Sequence, residues 1–124
     1  MKFQTPQSVD DAVAMLAADA GARVLAGGTD LLVRLRSGHI EPTAIVDIKH
    51  IAGMRDIAQE DGGWRIGAAV SCAEMGEHAG LVAAYPGVVE GAELIGSTQV
   101  QGRCTMVGNL CNAGPAGDSV PAMV

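Results

Sequence analysis

A single mixed helix-and-strand domain is the fold class this sequence predicts, and three observations predict it. First, an apolar run (Val24-Leu25-Ala26), a glycine turn, a Leu-rich run (Leu31 to Leu35) and a β-branched run (Thr43 to Ile48) follow one another as a βαβ-like unit. Second, Asp61-Gly62-Gly63 lies between two strand-like runs, 54–59 and 64–69, as in a β-hairpin. Third, helix-start signals recur at Ser8, at Ser71 with Glu74, and at Pro86. The 124 residues suit one domain. Hydrophobic residues make up 48%, enough for a core, and that core must be aliphatic because Phe, Trp and Tyr occur once each.

Met1 to Pro6 reads as an extended start. Ser8 is an N-cap, with Asp10 and Asp11 in the first turn, where the helix dipole favours acids. Val9, Val13, Leu16 and Ala20 are expected on the buried face, and Gly21 at the helix end. Arg23 to Ala26 reads as a buried strand. Thr29 or Asp30 caps a short helix that ends at Arg34, Arg36 and Gly38. Ser71 and Glu74 form a capping-box pattern that opens the next helix. Pro86 opens another, with Val88, Ala92 and Ile95 on one face and Gly96 as its stop. Thr98 to Met106 is expected to be extended. Asp118 is expected to cap a last helix starting near Ser119.

The formal charge of −6 argues against a nucleic-acid binder, which shows a basic face. No apolar run reaches transmembrane length and the start has no signal-peptide pattern, so the expectation is a cytoplasmic protein. Cys72, Cys104 and Cys111 are odd in number and lack Cys-x-x-Cys spacing, against a disulfide framework or a metal cage. His39, His50 and His78 have no metal-site spacing and read as surface or packing residues.

Two stretches carry chemistry. Ala26-Gly27-Gly28-Thr29-Asp30 joins a strand to a helix start, an arrangement that brings backbone N–H groups close to a phosphate. The other reading is a tight turn that binds nothing. Thr105 to Asp118 offers hydroxyl, amide and carboxylate groups among small residues, suited to ribose or ribityl hydroxyls. Its other reading is a polar loop with Asx turns at Asn109 and Asn112.

Together the two stretches resemble the FAD-binding subunit of the molybdenum hydroxylases, the family of the carbon monoxide dehydrogenase medium subunit and the xanthine dehydrogenase flavin domain. The carriers are Ala26 to Thr29, Gln101 to Asn109, Pro115 to Asp118, Ile45 to Ile48 and Trp64 to Ala68, spread over nearly the whole chain. The resemblance implies the α+β FAD-binding fold of the vanillyl-alcohol-oxidase/PCMH type. Its two small subdomains would be about 1–53 and about 54–124, the second truncated. It implies FAD held by Ala26, Gly27, Gly28, Thr29 and Asp30 from one side. Thr105, Met106, Val107, Gly108 and Asn109 would approach from the other, with Asn112 and Asp118 on cofactor hydroxyls or amides and Gly96 as a further backbone contact. It also implies electron transfer through FAD, from an iron–sulfur small subunit beside a molybdenum-cofactor large subunit to an external acceptor. Three positions depart from the family pattern. Val107-Gly108 replaces paired glycines, Cys104 stands for a glycine and Gly102 for an asparagine. A valine resists positive φ and carries a bulky Cβ, so the alternative is a non-catalytic assembly or interaction domain that keeps the fold but binds FAD weakly.

Overall fold

The β-branched run forms the centre of a three-stranded parallel sheet. The computed structural model describes all residues, 1–124. Strands β1 (Lys2–Gln4), β2 (Arg23–Leu25) and β3 (Ala44–Asp47) lie in the order β1-β3-β2, with Phe3 opposite Ile45 and Val24 opposite Val46. Every residue of β3 is buried, as suits a central parallel strand covered on both faces. The predicted buried strand at Arg23 is an edge strand instead, and only Leu25 of its three residues is buried.

Helices α1 (Val9–Ala18) and α2 (Leu31–Arg36) connect these strands. Ser8 caps α1 as expected, its Oγ accepting from the Asp11 N–H at 3.1 Å. Of the expected face only Leu16 packs against the hydrophobic cluster under the sheet. Ala12 is buried with Met15 and Leu16 packed beside it, while Val9 and Val13 are 50% and 57% exposed. Ala12, Met15 and Leu16 sit at i, i+3, i+4, the stripe a helix presents to a sheet. Helix α1 ends at Ala18, not at Gly21. Asp19 follows it and accepts from the Gly21 N–H at 2.9 Å and the Thr43 hydroxyl at 2.6 Å.

The hairpin is present as β4 (Ile57–Glu60) and β5 (Gly63–Ile66), antiparallel, with Glu60 opposite Gly63. Its two-residue loop is Asp61-Gly62, at φ of 50° and 77°, the geometry that matches strand twist. Helices α3 (Cys72–Glu77), α4 (Ala79–Ala84) and α5 (Pro86–Glu93) follow. The predicted capping box opens α3: Ser71 Oγ accepts from the Glu74 N–H, and Glu74 Oε2 accepts from the Ser71 N–H at 2.9 Å. Ser71→Ala is expected to cost about 1 kcal/mol in a urea melt. Helix α4 carries no Ser, Thr, Asp or Asn at its start. His78 caps it, Nδ1 accepting from the Leu81 N–H at 3.1 Å, with the ring edge-on to Trp64.

Two hydrophobic clusters result. One joins Ala12, Ala22, Ala44, Val46 and Ile51 under the sheet. The other gathers Val70, Met75, Leu81, Val89, Ala92 and Ile95 with both buried cysteines and Met106. Ala92 on α5 and Ile95 just past its end are buried as expected, and Val89 rather than Val88 completes the face.

The C-terminal third differs most from expectation. Thr98–Gln101 is a helical turn, α6, not an extended strand, and α7 (Met106–Asn112) runs through the stretch read as a loop. The local reason is Thr105, whose hydroxyl accepts from the Gly108 N–H at 3.0 Å and starts the helix. Ala113, at φ 53°, ends it. Asp118 caps nothing. The last 3₁₀ turn, Val120–Met123, starts after Ser119 with no side-chain cap. Ser119 is buried and gives both its N–H and its hydroxyl (2.7 Å) to Asn109 Oδ1.

Candidate functional site

The segment from Ala26 to Asp30 faces α7 across a cleft of about 370 Å³, within the ordinary range of small-molecule sites. The chain arrives there because β2 and β3 are parallel neighbours. Just past their ends, Lys49 Nζ donates to Ala26 O at 3.0 Å and pairs with Asp47 Oδ1 at 2.7 Å, anchoring the start of the loop. Gly28 lies at φ +83°, where an L side chain is strained, and a Cβ there would crowd Leu25 and Leu32. Gly27 has a different reason. A Cβ at Gly27 would overlap the carbonyl oxygen of Arg103, so the glycine lets the backbone leading into α7 pack directly on the loop.

The loop leaves donors free. The N–H groups of Gly27, Gly28, Thr29, Asp30 and Leu31 make no hydrogen bond within the protein, nor do those of Thr105, Met106 and Val107 at the start of α7. Successive unpaired N–H groups of this kind make an anion-binding concavity, reinforced where a helix starts.

Ten of the predicted residues border the cleft: Ala26, Gly27, Gly28, Thr29, Asp30, Thr105, Val107, Gly108, Asn109 and Asn112. Three do not. Met106 is a buried member of the second cluster. Gly96 lies away from the lining at φ +60°, packed toward Val100. Asp118 is exposed outside it. Two others are partly committed elsewhere, since the Thr105 hydroxyl caps α7 and Asn109 Oδ1 holds Ser119. Val107 lies in the first turn of α7, with no positive φ. The expected conformational conflict is therefore absent, because the helix needs no glycine there.

Sequence reasoning missed the cleft's cations. Arg23 and Arg34 both line it, and Arg34 Nη1 stands 3.5 Å from Asn112 Oδ1, reaching from α2 to α7. Arg34 looked like an ordinary cation in a last helical turn. Its spacing from Asp30, one helical turn on, was the available signal.

Burial works to raise the Asp47 carboxyl, but the Lys49 hydrogen bonds and charge outweigh it and hold it below its usual range. Burial likewise opposes the Ser71 and Arg55 contacts that hold Glu74 below its usual range. A lowered folded-state pKa means stability that is full above the unfolded value and lost as pH falls through the folded one. Unfolding midpoints are therefore expected to hold at neutral pH and fall as pH drops below about 4. Asp47→Asn should flatten that fall in urea melts taken across the acid range.

An α+β module with two rows of free donors on one cleft has the donor set that a phosphate-bearing ligand requires. The whole chain, residues 1–124, matches the family model described as the FAD binding domain in molybdopterin dehydrogenase, and the chain belongs to that family. It is 36% identical over 118 residues to the xanthine dehydrogenase FAD-binding subunit of Escherichia coli O157:H7, covering 94% of this chain and 40% of that subunit. It is 31% identical over 118 residues to the carbon monoxide dehydrogenase medium chain of Hydrogenophaga pseudoflava, covering 94% and 41%. Its fold matches the crystal structure of the cyanide-inactivated Cu,Mo-CO dehydrogenase with a TM-score of 0.90 at 30% identity, over 95% of this chain and 42% of that one. The chain thus spans about two fifths of the length of the relatives it matches. FAD is the cofactor of the family, and the unpaired N–H groups and the glycine cradle fit its pyrophosphate. No helix is long and apolar enough to cross a membrane.

Proposed function

We propose that this chain is the FAD-binding electron-transfer component of a molybdenum-containing hydroxylase or dehydrogenase. It works beside an iron–sulfur small subunit and a molybdenum-cofactor large subunit in the cytoplasm. The observation that carries the reading is the pair of free N–H rows on one cleft. When bound, FAD supplies the redox chemistry, taking electrons from the iron–sulfur partner and passing them to an external acceptor. The protein's part is binding and orientation. Gly27 to Leu31 donate N–H groups to the pyrophosphate, and Thr105 to Val107 donate from the opposite side. Arg34 adds a positive charge, and Asn112 offers an amide to a cofactor hydroxyl. No side chain of this chain is asked to move a proton.

Titration of the chain with FAD, followed by flavin absorbance and fluorescence quenching, tests the reading. Saturable binding that falls with Gly28→Ala is the expected result. Absence of bound flavin both in this chain and in a version extended to the length of its relatives would sink it.

A second reading is a non-catalytic assembly domain that keeps the fold and holds FAD weakly. Val107 favours it, because its side chain is 39% exposed and borders the cleft. Val107→Gly discriminates. A large gain in FAD affinity supports the second reading, and unchanged tight binding supports the first.

A further inference from the structure

We propose that Cys72 and Cys104 are a dithiol site that a peroxide oxidises to a reversible disulfide in the wall of the cofactor cleft. The two cysteines are far apart in sequence yet share one buried cluster, 0% and 2% exposed. The Cys72 N–H donates to the Cys104 carbonyl at 2.9 Å. With standard bond lengths that hydrogen bond keeps the two Cα atoms within about 6.8 Å. A disulfide spans about 4.4–6.8 Å between Cα atoms.

The two sulfurs differ in access. Cys104 borders the cleft, where a small oxidant can arrive, and Cys72 lies behind it on α3. Peroxide transfers one oxygen to the Cys104 sulfur, forming a sulfenic acid and releasing one water. The Cys72 sulfur then attacks that sulfur, the S–S bond forms, and the hydroxyl leaves as a second water. Two thiols have lost two hydrogens and two electrons, and one hydrogen peroxide has become two waters. Burial pushes the Cys72 thiol up to about 12 and raises Cys104 as well. The resting pair is therefore protonated, and its oxidation quickens as pH rises. The bond would pin the wall on which Gly27 packs, because the Cys104 Cα lies 3.0 Å from where a Gly27 Cβ would be.

The test uses the 124-residue chain without FAD, so its result does not depend on the cofactor reading. Hydrogen peroxide is added and thiols are titrated under denaturing conditions, followed by peptide mapping. The expected result is a fall from three thiols to one, a Cys72–Cys104 linked peptide lighter by two hydrogens, and recovery with dithiothreitol. Cys111→Ser should still lose both remaining thiols. Cys72→Ser should leave a Cys104 sulfenic acid that a dimedone probe captures. Three surviving thiols, a Cys104–Cys111 bridge, or over-oxidised Cys104 with Cys72 still free would overturn the proposal.

Discussion

Replacing Gly27 with alanine is expected to cost about 1–3 kcal/mol or more of stability and to weaken FAD binding. The new methyl would meet the Arg103 carbonyl oxygen and carbon and the Cys104 Cα, and all of these are backbone atoms. A flexible side chain could swing aside, but here one strand of main chain must retreat from another. Either the loop from Ala26 to Asp30 or the segment leading into α7 moves, and the two rows of N–H donors separate. A loss of about 1.4 kcal/mol in binding is a tenfold rise in the FAD dissociation constant. Urea melts and FAD titration read the two effects separately. Gly87→Ala is the control, because a Cβ there meets nothing within 4 Å, φ is not positive, and the residue is helical. It should leave FAD binding unchanged and raise stability slightly. A Gly27→Ala protein as stable as wild type and with the same affinity would refute the close-approach argument.

Met75→Ala is expected to remove about 2–5 kcal/mol, a large part of the 5–15 kcal/mol that holds an ordinary domain together. Met75 is fully buried on α3 among Cys72, Leu81, Val89 and Ala92. Trp64 packs at the edge of this cluster, but its ring is already held against His78. The effect should reach the cleft, because α3 begins at Cys72, which is hydrogen-bonded to Cys104. The urea midpoint should fall sharply with an unchanged m-value. A loss under about 1 kcal/mol would mean that the site collapses around the gap and that the second cluster is loosely packed.

Local signals in the chain were legible because their physics is local. Ser8, the Ser71–Glu74 box and the Asp61-Gly62 turn each act within three or four residues, and each formed as read. The glycine turn between β2 and α2 was legible for the same reason, whereas its reading as a phosphate loop, against a turn that binds nothing, came from its resemblance to a known family. Failures came where a residue's role is set from a distance. His78 caps α4 with a ring nitrogen, a use that composition does not flag. Thr98 to Asn112 looked extended and loop-like because Thr, Val, Gly and Asn are weak helix formers. Packing of Met106 and Cys104 into the second cluster, together with the Thr105 cap, outweighed that propensity.

The candidate site divides along the same line. Periodicity, caps and glycine spacing were enough to yield the strand, the turn and the hairpin, while the pairing of Ala26–Asp30 with Thr105–Asp118 came from the family resemblance. Three-dimensional packing chose among those residues. It drew Met106 into the core, turned Asn109 toward Ser119, and set Val107 in a helix where its φ is ordinary. It also brought in Arg34 from α2 and Cys104 from beside Cys72, partners separated by too many residues for any local pattern to pair them. Backbone hydrogen bonding and capping are decided within a few residues. Which side chain points into a cleft depends on how distant segments share one core.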